Sequence, residues 1–265
     1  MKKTIQILIM ALMVITLSAT AAKQQRNVKA FTAIENNCSI DLVITQGNEY
    51  ALTVIAPEKY MNKITTEVRA NTLVVDLHGN IFSTEDFEIH ITAVSLKEIT
   101  LEGSGDAEIE GIFHAESLFI ELQGSGDFEG DLDVKDLEVT IHGSGDAEVS
   151  GVNNTLEVEQ HGSGDFEGDN LHLGKAYFSI HGSGDAEVSG TAAMMTLTQS
   201  GSGDFDGRSF EVKAAKIRKS SSGEADVFIT ETVDAKLSGS GDLNIKGKPV
   251  FTNFSASGSG DIRTF

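Results

Sequence analysis

The sequence predicts an all-β protein, a parallel β-helix (solenoid) with about 19–20 residues per coil. Three observations predict it. A Gly-Ser-Gly-Asp motif recurs at a nearly constant interval, apolar and polar residues alternate before each copy, and large and small apolar residues alternate between copies. One turn motif per period is typical of solenoids, and a period of two is typical of strands.

Residues 1–22 are predicted to be a signal peptide. Lys2 and Lys3 precede the short apolar run Ile5–Leu17, and small residues follow it up to Ala22. The run is shorter than the roughly 20 apolar residues of a membrane-spanning helix. We therefore expect an exported mature chain without a transmembrane segment, located in the periplasm, at the outer surface or secreted.

Residues 23–100 lack the motif but contain alternating runs such as Ile40–Ile44 and Leu73–Leu77. We interpret this region as β structure that begins and caps the solenoid, because an uncovered end would expose strand edges. The only cysteine, Cys38, falls within this pattern and is expected to be buried. No linker precedes the repeats of residues 101–265, so residues 23–265 are predicted to form a single domain.

The repeat has eight intact copies and one degenerate copy. The intact copies start at Gly103, Gly124, Gly143, Gly162, Gly182, Gly201, Gly239 and Gly258, and the degenerate copy starts at Ser221. Their spacing varies only from 18 to 21 residues. Nineteen extended residues trace roughly 60 Å, which suits one coil with two or three short faces.

The residues after each motif predict how coils stack. Ala and Phe alternate directly after the acidic residue, as in Ala147 and Phe166. Two positions later a branched residue and Gly alternate, as in Val149 and Gly168. Both positions should face inward, so each large ring would lie beside small residues and the core would close without voids.

Turn chemistry accounts for the motif itself. A coil must turn at each corner, and we expect the glycines to supply positive φ and the Asp to bond backbone amides locally.

Composition excludes some partners. The chain has 20 Lys+Arg and 40 Asp+Glu, a formal net charge of -20. This charge repels nucleic acid and anionic lipid and favours cations or basic surfaces. We therefore expect no nucleic-acid partner.

The sequence resembles the bacterial head GIN domain family, described as autotransporter adhesins. The resemblance rests on Phe31–Ile34, Leu42–Gly47, Leu96–Asp106 and the recurring motif, and it covers nearly the whole mature chain. It implies a right-handed parallel β-helix and export, and it brings no catalytic residues. The sequence after the repeats is too short for a membrane barrel, so we do not expect self-export.

An acidic ladder is the first candidate site. Stacked carboxylates repel each other, and Ca²⁺ would relieve the repulsion if enough oxygens converged. The ladder consists of Asp106, Asp127, Asp146, Asp165, Asp185, Asp204, Glu224, Asp242 and Asp261. Calcium-binding solenoids repeat every nine residues, whereas this period is about twice as long, so we expect no resident cofactor and keep Ca²⁺ as an alternative.

Two further clusters are candidate sites. His142, His161 and His181 precede consecutive motifs and could bind a transition metal or form a solvated column. Near the degenerate copy lie Lys213, Lys216, Arg218 and Lys219, which could contact an anionic ligand or glycan. We expect Lys219 to be partly buried and paired with Glu224 or a neighbouring acidic coil, because buried Lys needs a partner.

The predicted function is non-catalytic. Near-identical coils without loop insertions offer no convergent, non-repeating constellation of the kind that catalysis requires. We expect adhesin-like binding of a glycan or protein ligand at the cell surface, or a structural role in the envelope. A cation-binding solenoid is the alternative, followed by a polysaccharide lyase or hydrolase, because β-helices also host such enzymes.

Overall fold

The computed structural model describes residues 21–79 and 87–265. These residues form eighteen β-strands and one 3₁₀ helix, Glu58–Lys63, and the all-β prediction is confirmed. None of their helices has the length and apolarity needed to cross a bilayer. Most of the predicted signal peptide, residues 1–20, lies outside the described residues, and the first strand begins at Ala22.

Eight short strands form the N-terminal section. They are β1 (Ala22–Arg26), β2 (Ala33–Asn36), β3 (Asp41–Gln46), β4 (Ala51–Ala56), β5 (Ile64–Arg69), β6 (Thr72–Leu77), β7 (Glu88–Ala93) and β8 (Glu98–Leu101). Strand β2 pairs in parallel with both β6 and β8, and β3 pairs in parallel with both β7 and β9. The turn made by β2 and β3 therefore lies between turns made by later parts of the chain.

Antiparallel strands cover the outer side of this section. Strand β5 pairs with β6, β4 pairs with β7, and β1 pairs with β4. The outermost strand, β1, contains Lys23 and Arg26, and charged residues on an edge discourage pairing with another chain.

Ten strands form the repeat section. They are β9 (Ala107–Leu122), β10 (Phe128–Ile141), β11 (Ala147–Gln160), β12 (Phe166–Ile180), β13 (Ala186–Gln199), β14 (Phe205–Lys219), β15 (Ala225–Leu237), β16 (Leu243–Lys246), β17 (Val250–Ala256) and β18 (Ile262–Thr264). Each coil pairs in parallel with the next, one motif period away. The result is a parallel β-solenoid of about nine turns, as predicted.

The alternating apolar residues pack as the sequence predicts. Phe166 lies in register with Ala147 on one neighbouring coil and Ala186 on the other, and all three are buried. The structure adds a contact within the coil, because a Cβ on Gly168 would lie 3.0 Å from the ring of Phe166. The glycine therefore makes room for the ring two residues before it.

The expected role of the motif glycines was wrong. Among them only Gly258 has a clearly positive φ, 128°. The others are required because coils approach closely: a Cβ on Gly164 would overlap the carbonyl oxygen of Gly145, the equivalent glycine one coil earlier. Positive φ occurs instead at a second corner, for example at Gly111 (82°) and Gly151 (80°).

Candidate functional site

The acidic ladder is a chain of hydrogen bonds between coils that is interrupted between Glu224 and Asp242. The Asp165 Oδ1 accepts the backbone N–H of Asp185 at 2.7 Å, and Asp185 Oδ1 accepts that of Asp204 at 2.7 Å. The same bond joins Asp106 to Asp127, Asp127 to Asp146, Asp146 to Asp165, Asp204 to Glu224 and Asp242 to Asp261. Seven of the nine ladder carboxylates therefore cap the next coil, whereas the sequence predicted a bond within the residue's own turn.

The ladder also extends into the N-terminal section. Asp41 Oδ1 accepts the N–H of Asp106 at 3.0 Å, and the Ser104 N–H donates to Cys38 O at 3.2 Å. Residues 38–41 (Cys-Ser-Ile-Asp) thus occupy the place of a motif copy, which the sequence analysis did not identify because both glycines are replaced.

The side chain of Cys38 is half-buried, whereas the sequence predicted that it is buried. Desolvation raises the pKa of its thiol to about 11.

The ladder carboxylates already have a structural task. One oxygen of each of the seven capping carboxylates is committed to a backbone amide, whereas Ca²⁺ takes six to eight oxygen ligands. No group of three or more His, Cys, Asp or Glu side chains is arranged to hold a metal within residues 21–79 and 87–265. Capping of the next coil is the chemistry that this geometry performs.

Two substitutions of Asp165 distinguish capping of the next coil from Ca²⁺ binding as the role of the ladder. Asp165→Asn keeps the acceptor and removes one of several stacked charges, so we expect an equal or higher melting temperature. Asp165→Ala leaves the N–H of Asp185 without its acceptor and should cost about 1–2 kcal/mol. Thermal unfolding of both variants with chelator and with added Ca²⁺ is the measurement. A Ca²⁺-dependent stabilisation of the unmodified protein that both variants lose would contradict capping.

The three histidines form a stack, as their spacing predicted. The ring centroids of His142 and His161 are 5.1 Å apart at 15°, and those of His161 and His181 are 5.2 Å apart at 13°. All three are exposed. His181 Nδ1 is 2.6 Å from the Ser200 hydroxyl, and His161 Nε2 is 2.7 Å from Glu159 Oε1. Their partners are protein groups on the same surface.

The histidines border a regular outer surface, which we call the histidine face. It consists of the residues that alternate with core positions at the ends of β10–β15 and of those in the turns that follow. Thr140 is the buried member of the set, which comprises Glu138, Thr140, His142, Glu157, Glu159, His161, Tyr177, Ser179, His181, Thr196, Thr198, Ser200, Lys216, Arg218, Ser220, Asp234, Lys236 and Ser238. Parallel register places these side chains in three columns. The face is acidic on β10–β11 and basic on β14–β15, with the exposed ring of Tyr177 between them.

The basic cluster is divided between the surface and the interior. Lys213 and Lys216 are exposed. Arg218 forms a two-pronged ion pair with Asp234 (3.0 and 2.9 Å), which holds the pKa of that carboxyl below its ordinary value. The cluster is therefore partly neutralised.

Lys219 was expected to be partly buried and is almost completely buried, and its partners differ from those expected. Its ammonium donates to the Ser221 hydroxyl and to the carbonyl of Gly223, not to the carboxylate of Glu224. Gln199, the residue in register one coil earlier, makes the same kind of bond, donating its amide to Gly203 O at 2.6 Å. Lys219 thus lies in an inward column in which Gln160 and Gln199 also donate to a turn carbonyl.

A second acidic row was missed by the sequence reasoning. Parallel register aligns the outward residues directly after the Ala/Phe positions: Glu108, Glu129, Glu148, Glu167, Glu187, Asp206 and Asp226. Desolvation and then the neighbouring Glu148 raise the pKa of Glu167. The signal was visible, because an acidic residue follows every Ala or Phe of the alternation.

Comparison with a family model gives a match over residues 30–189 and 175–249, and the family is described as "Putative auto-transporter adhesin, head GIN domain". The chain matches no curated protein.

Solved structures share the fold. One from Parabacteroides distasonis, named a "Putative lipid binding protein", is 23% identical with a TM-score of 0.67, covering 94% of this chain and 98% of that one. A "putative adhesin" from the same species is 17% identical (TM-score 0.72, coverage 94% and 98%). Another from Parabacteroides merdae is 18% identical (TM-score 0.63, coverage 94% and 97%).

Proposed function

The chain belongs to the family described as "Putative auto-transporter adhesin, head GIN domain". We propose that it is an exported, non-catalytic solenoid that binds an extended glycan at a cell surface. The histidine face carries the proposal. It combines an exposed aromatic ring, Tyr177, with hydroxyl, imidazole and charged groups at the regular spacing of the strands. Such a surface suits an extended ligand that lies across several coils, because parallel register presents hydrogen-bonding groups on each coil at the strand spacing.

Two observations support binding without catalysis. The acidic residues recur in columns, so neighbouring coils present nearly the same groups rather than one acid and one base in distinct environments. Seven ladder carboxylates are engaged with backbone amides, the carboxylate of Asp234 with Arg218, and that of Glu159 with His161. Substrate turnover needs a convergent set of groups with separated roles.

Tyr177→Ala tests the proposal. The protein of residues 23–265 would be applied to immobilised acidic, neutral and basic polysaccharides, and released reducing ends would be assayed in parallel. We expect binding without product release, and a weakening of about tenfold or more in the variant, as for loss of a central aromatic contact. Ile112→Ala, an exposed apolar residue at the second corner, is the control.

Other outcomes would reassign the function. Release of shortened products would make the protein a polysaccharide-active enzyme. Binding to protein-coated surfaces but to no polysaccharide would identify a protein ligand. Binding that Ile112→Ala weakens and Tyr177→Ala leaves intact would move the site away from the histidine face.

A further inference from the structure

The two ends of the solenoid differ. The N-terminal end is covered by antiparallel strands with charged residues, as described above. At the other end, β17 pairs with β15 and β18 pairs with β16. Among the described residues no strand pairs with the opposite edge of β17, and all seven residues of β17 are exposed.

Core side chains are uncovered at this end. Phe251 is in register with the buried Val233, and Phe254 with the buried Ala235, so both rings continue inward columns. Their exposed fractions are 37% and 59%, and their centroids lie 5.7 Å apart in an edge-to-face arrangement. In every earlier coil the residues of these two columns are covered by the following coil. No following coil covers Phe251 and Phe254 within the described residues.

Strand β17 lacks the charges that normally protect an edge. Its sequence, Val-Phe-Thr-Asn-Phe-Ser-Ala, contains no charged residue. A register shift at Thr252 interrupts pairing near its start and leaves Asn253–Ala256 as a regular stretch of unprotected edge. The unpaired backbone N–H and C=O groups of such an edge can form a full set of hydrogen bonds with another strand.

The C-terminal end carries far less charge than the acidic remainder of the chain, so two copies repel each other least when they meet there. Residues 243–265 carry Lys246, Lys248 and Arg263 against Asp261, a formal side-chain charge of 3 − 1 = +2, whereas the whole chain carries -20. The remaining residues therefore carry -22. Two copies that meet end to end keep their acidic flanks apart, whereas copies side by side would bring those flanks together.

We propose that the C-terminal end of the solenoid is a docking surface for a second copy, forming a tail-to-tail dimer in which Asn253–Ala256 pairs antiparallel with its counterpart. A two-fold axis makes the surface self-complementary and covers both copies of Phe251 and Phe254. The capped N-terminal ends close the assembly at two copies. Two histidine faces on one particle would then engage a repeating ligand with increased avidity.

The test is the mass in solution of residues 23–265, measured by sedimentation over a range of protein concentrations. We expect a dimer, and Phe254→Lys should raise its dissociation constant about 30-fold or more, as loss of a central aromatic anchor does. Phe254 is already 59% exposed, so the variant should fold. Ile112→Lys is the matched control, because Ile112 has the same exposure of 59%.

A distance measurement tests the orientation. Spin labels at Ser255→Cys, in a Cys38→Ala background, should lie close together across the dimer, and labels at Lys59→Cys should lie beyond the measurable range. A monomer at every concentration would overturn the proposal, as would a dimer that Ile112→Lys disrupts and Phe254→Lys spares. A monomer that sediments with phosphatidylglycerol vesicles in a Phe254-dependent manner would assign the surface to lipid instead.

Discussion

Gly164→Ala is expected to destabilise the protein by about 4 kcal/mol or more, one of the largest effects available to a single methyl group. The added Cβ would overlap the carbonyl oxygen of Gly145 and lie 2.8 Å from its carbonyl carbon. That carbonyl belongs to the backbone of a stacked coil, which is held by inter-coil hydrogen bonds such as Ser163 N–H to Gly143 O (3.0 Å). The clash can be relieved only by opening the stack.

Thermal unfolding is the measurement, and a fall in melting temperature of roughly 10 °C or more is expected. Gly174→Ala is the matched control. Its Cβ would meet Asn154 at 3.4 Å and 3.5 Å, which is ordinary contact, so we expect a change within about 1 kcal/mol. Equal melting temperatures for the Gly164 variant and the unmodified protein would show that coils are not packed this closely at the motif.

Lys219→Gln is expected to stabilise the protein by about 1–3 kcal/mol at neutral pH. Burial places an amine among neutral partners and lowers its pKa, although the charges of Asp204, Glu224 and Asp242 partly oppose the shift. Gln keeps a donor for the carbonyl of Gly223, as Gln199 does for Gly203, and removes the cost of burying a charge. Lys219→Met removes the donor as well and should gain less, because it leaves that carbonyl unsatisfied.

The stabilisation that Lys219→Gln provides should depend on pH. Because the folded-state pKa of Lys219 is lowered, the unfolded chain binds more protons than the native protein between that pKa and the ordinary value near 10.4. The unmodified protein therefore gains stability as pH rises through this interval, and the advantage of the Gln variant should shrink towards pH 10. Denaturant unfolding of both proteins at neutral pH and at pH 10 measures the difference. An advantage that is the same at both pH values would contradict a buried, titrating amine.

The repeat section could be predicted because its signals are local. The spacing of the motif predicted the coil, and the alternation around Phe166 predicted which residues lie in register and face inward. These features depend only on strand periodicity and on an interval that hardly varies. The stack of His142, His161 and His181 follows from the same regular spacing.

Other features depend on contacts between distant residues and could not be read from spacing. Glycine is required at position 164 because the backbone of another coil lies against it. The expectation that this glycine supplies a positive φ was therefore wrong. The ladder bond of Asp165 likewise reaches the next coil instead of its own turn. The hydrogen-bond partner of Lys219 also depends on the three-dimensional turn. Gln199 makes the equivalent bond to a turn carbonyl in the preceding coil.

The position of β2 and β3 has a consequence for the order in which the chain folds. Neighbouring repeat coils are about 19 residues apart, so pairing among them closes short loops and can start anywhere in the repeat section. Asn36, in contrast, must meet both Val75 and Leu101, which follow much later in the sequence. Contacts at such separations form slowly. Folding is therefore expected to begin among the repeats and to finish at the N-terminal end, where a partner that held residues 33–46 in place would delay completion of the whole rod.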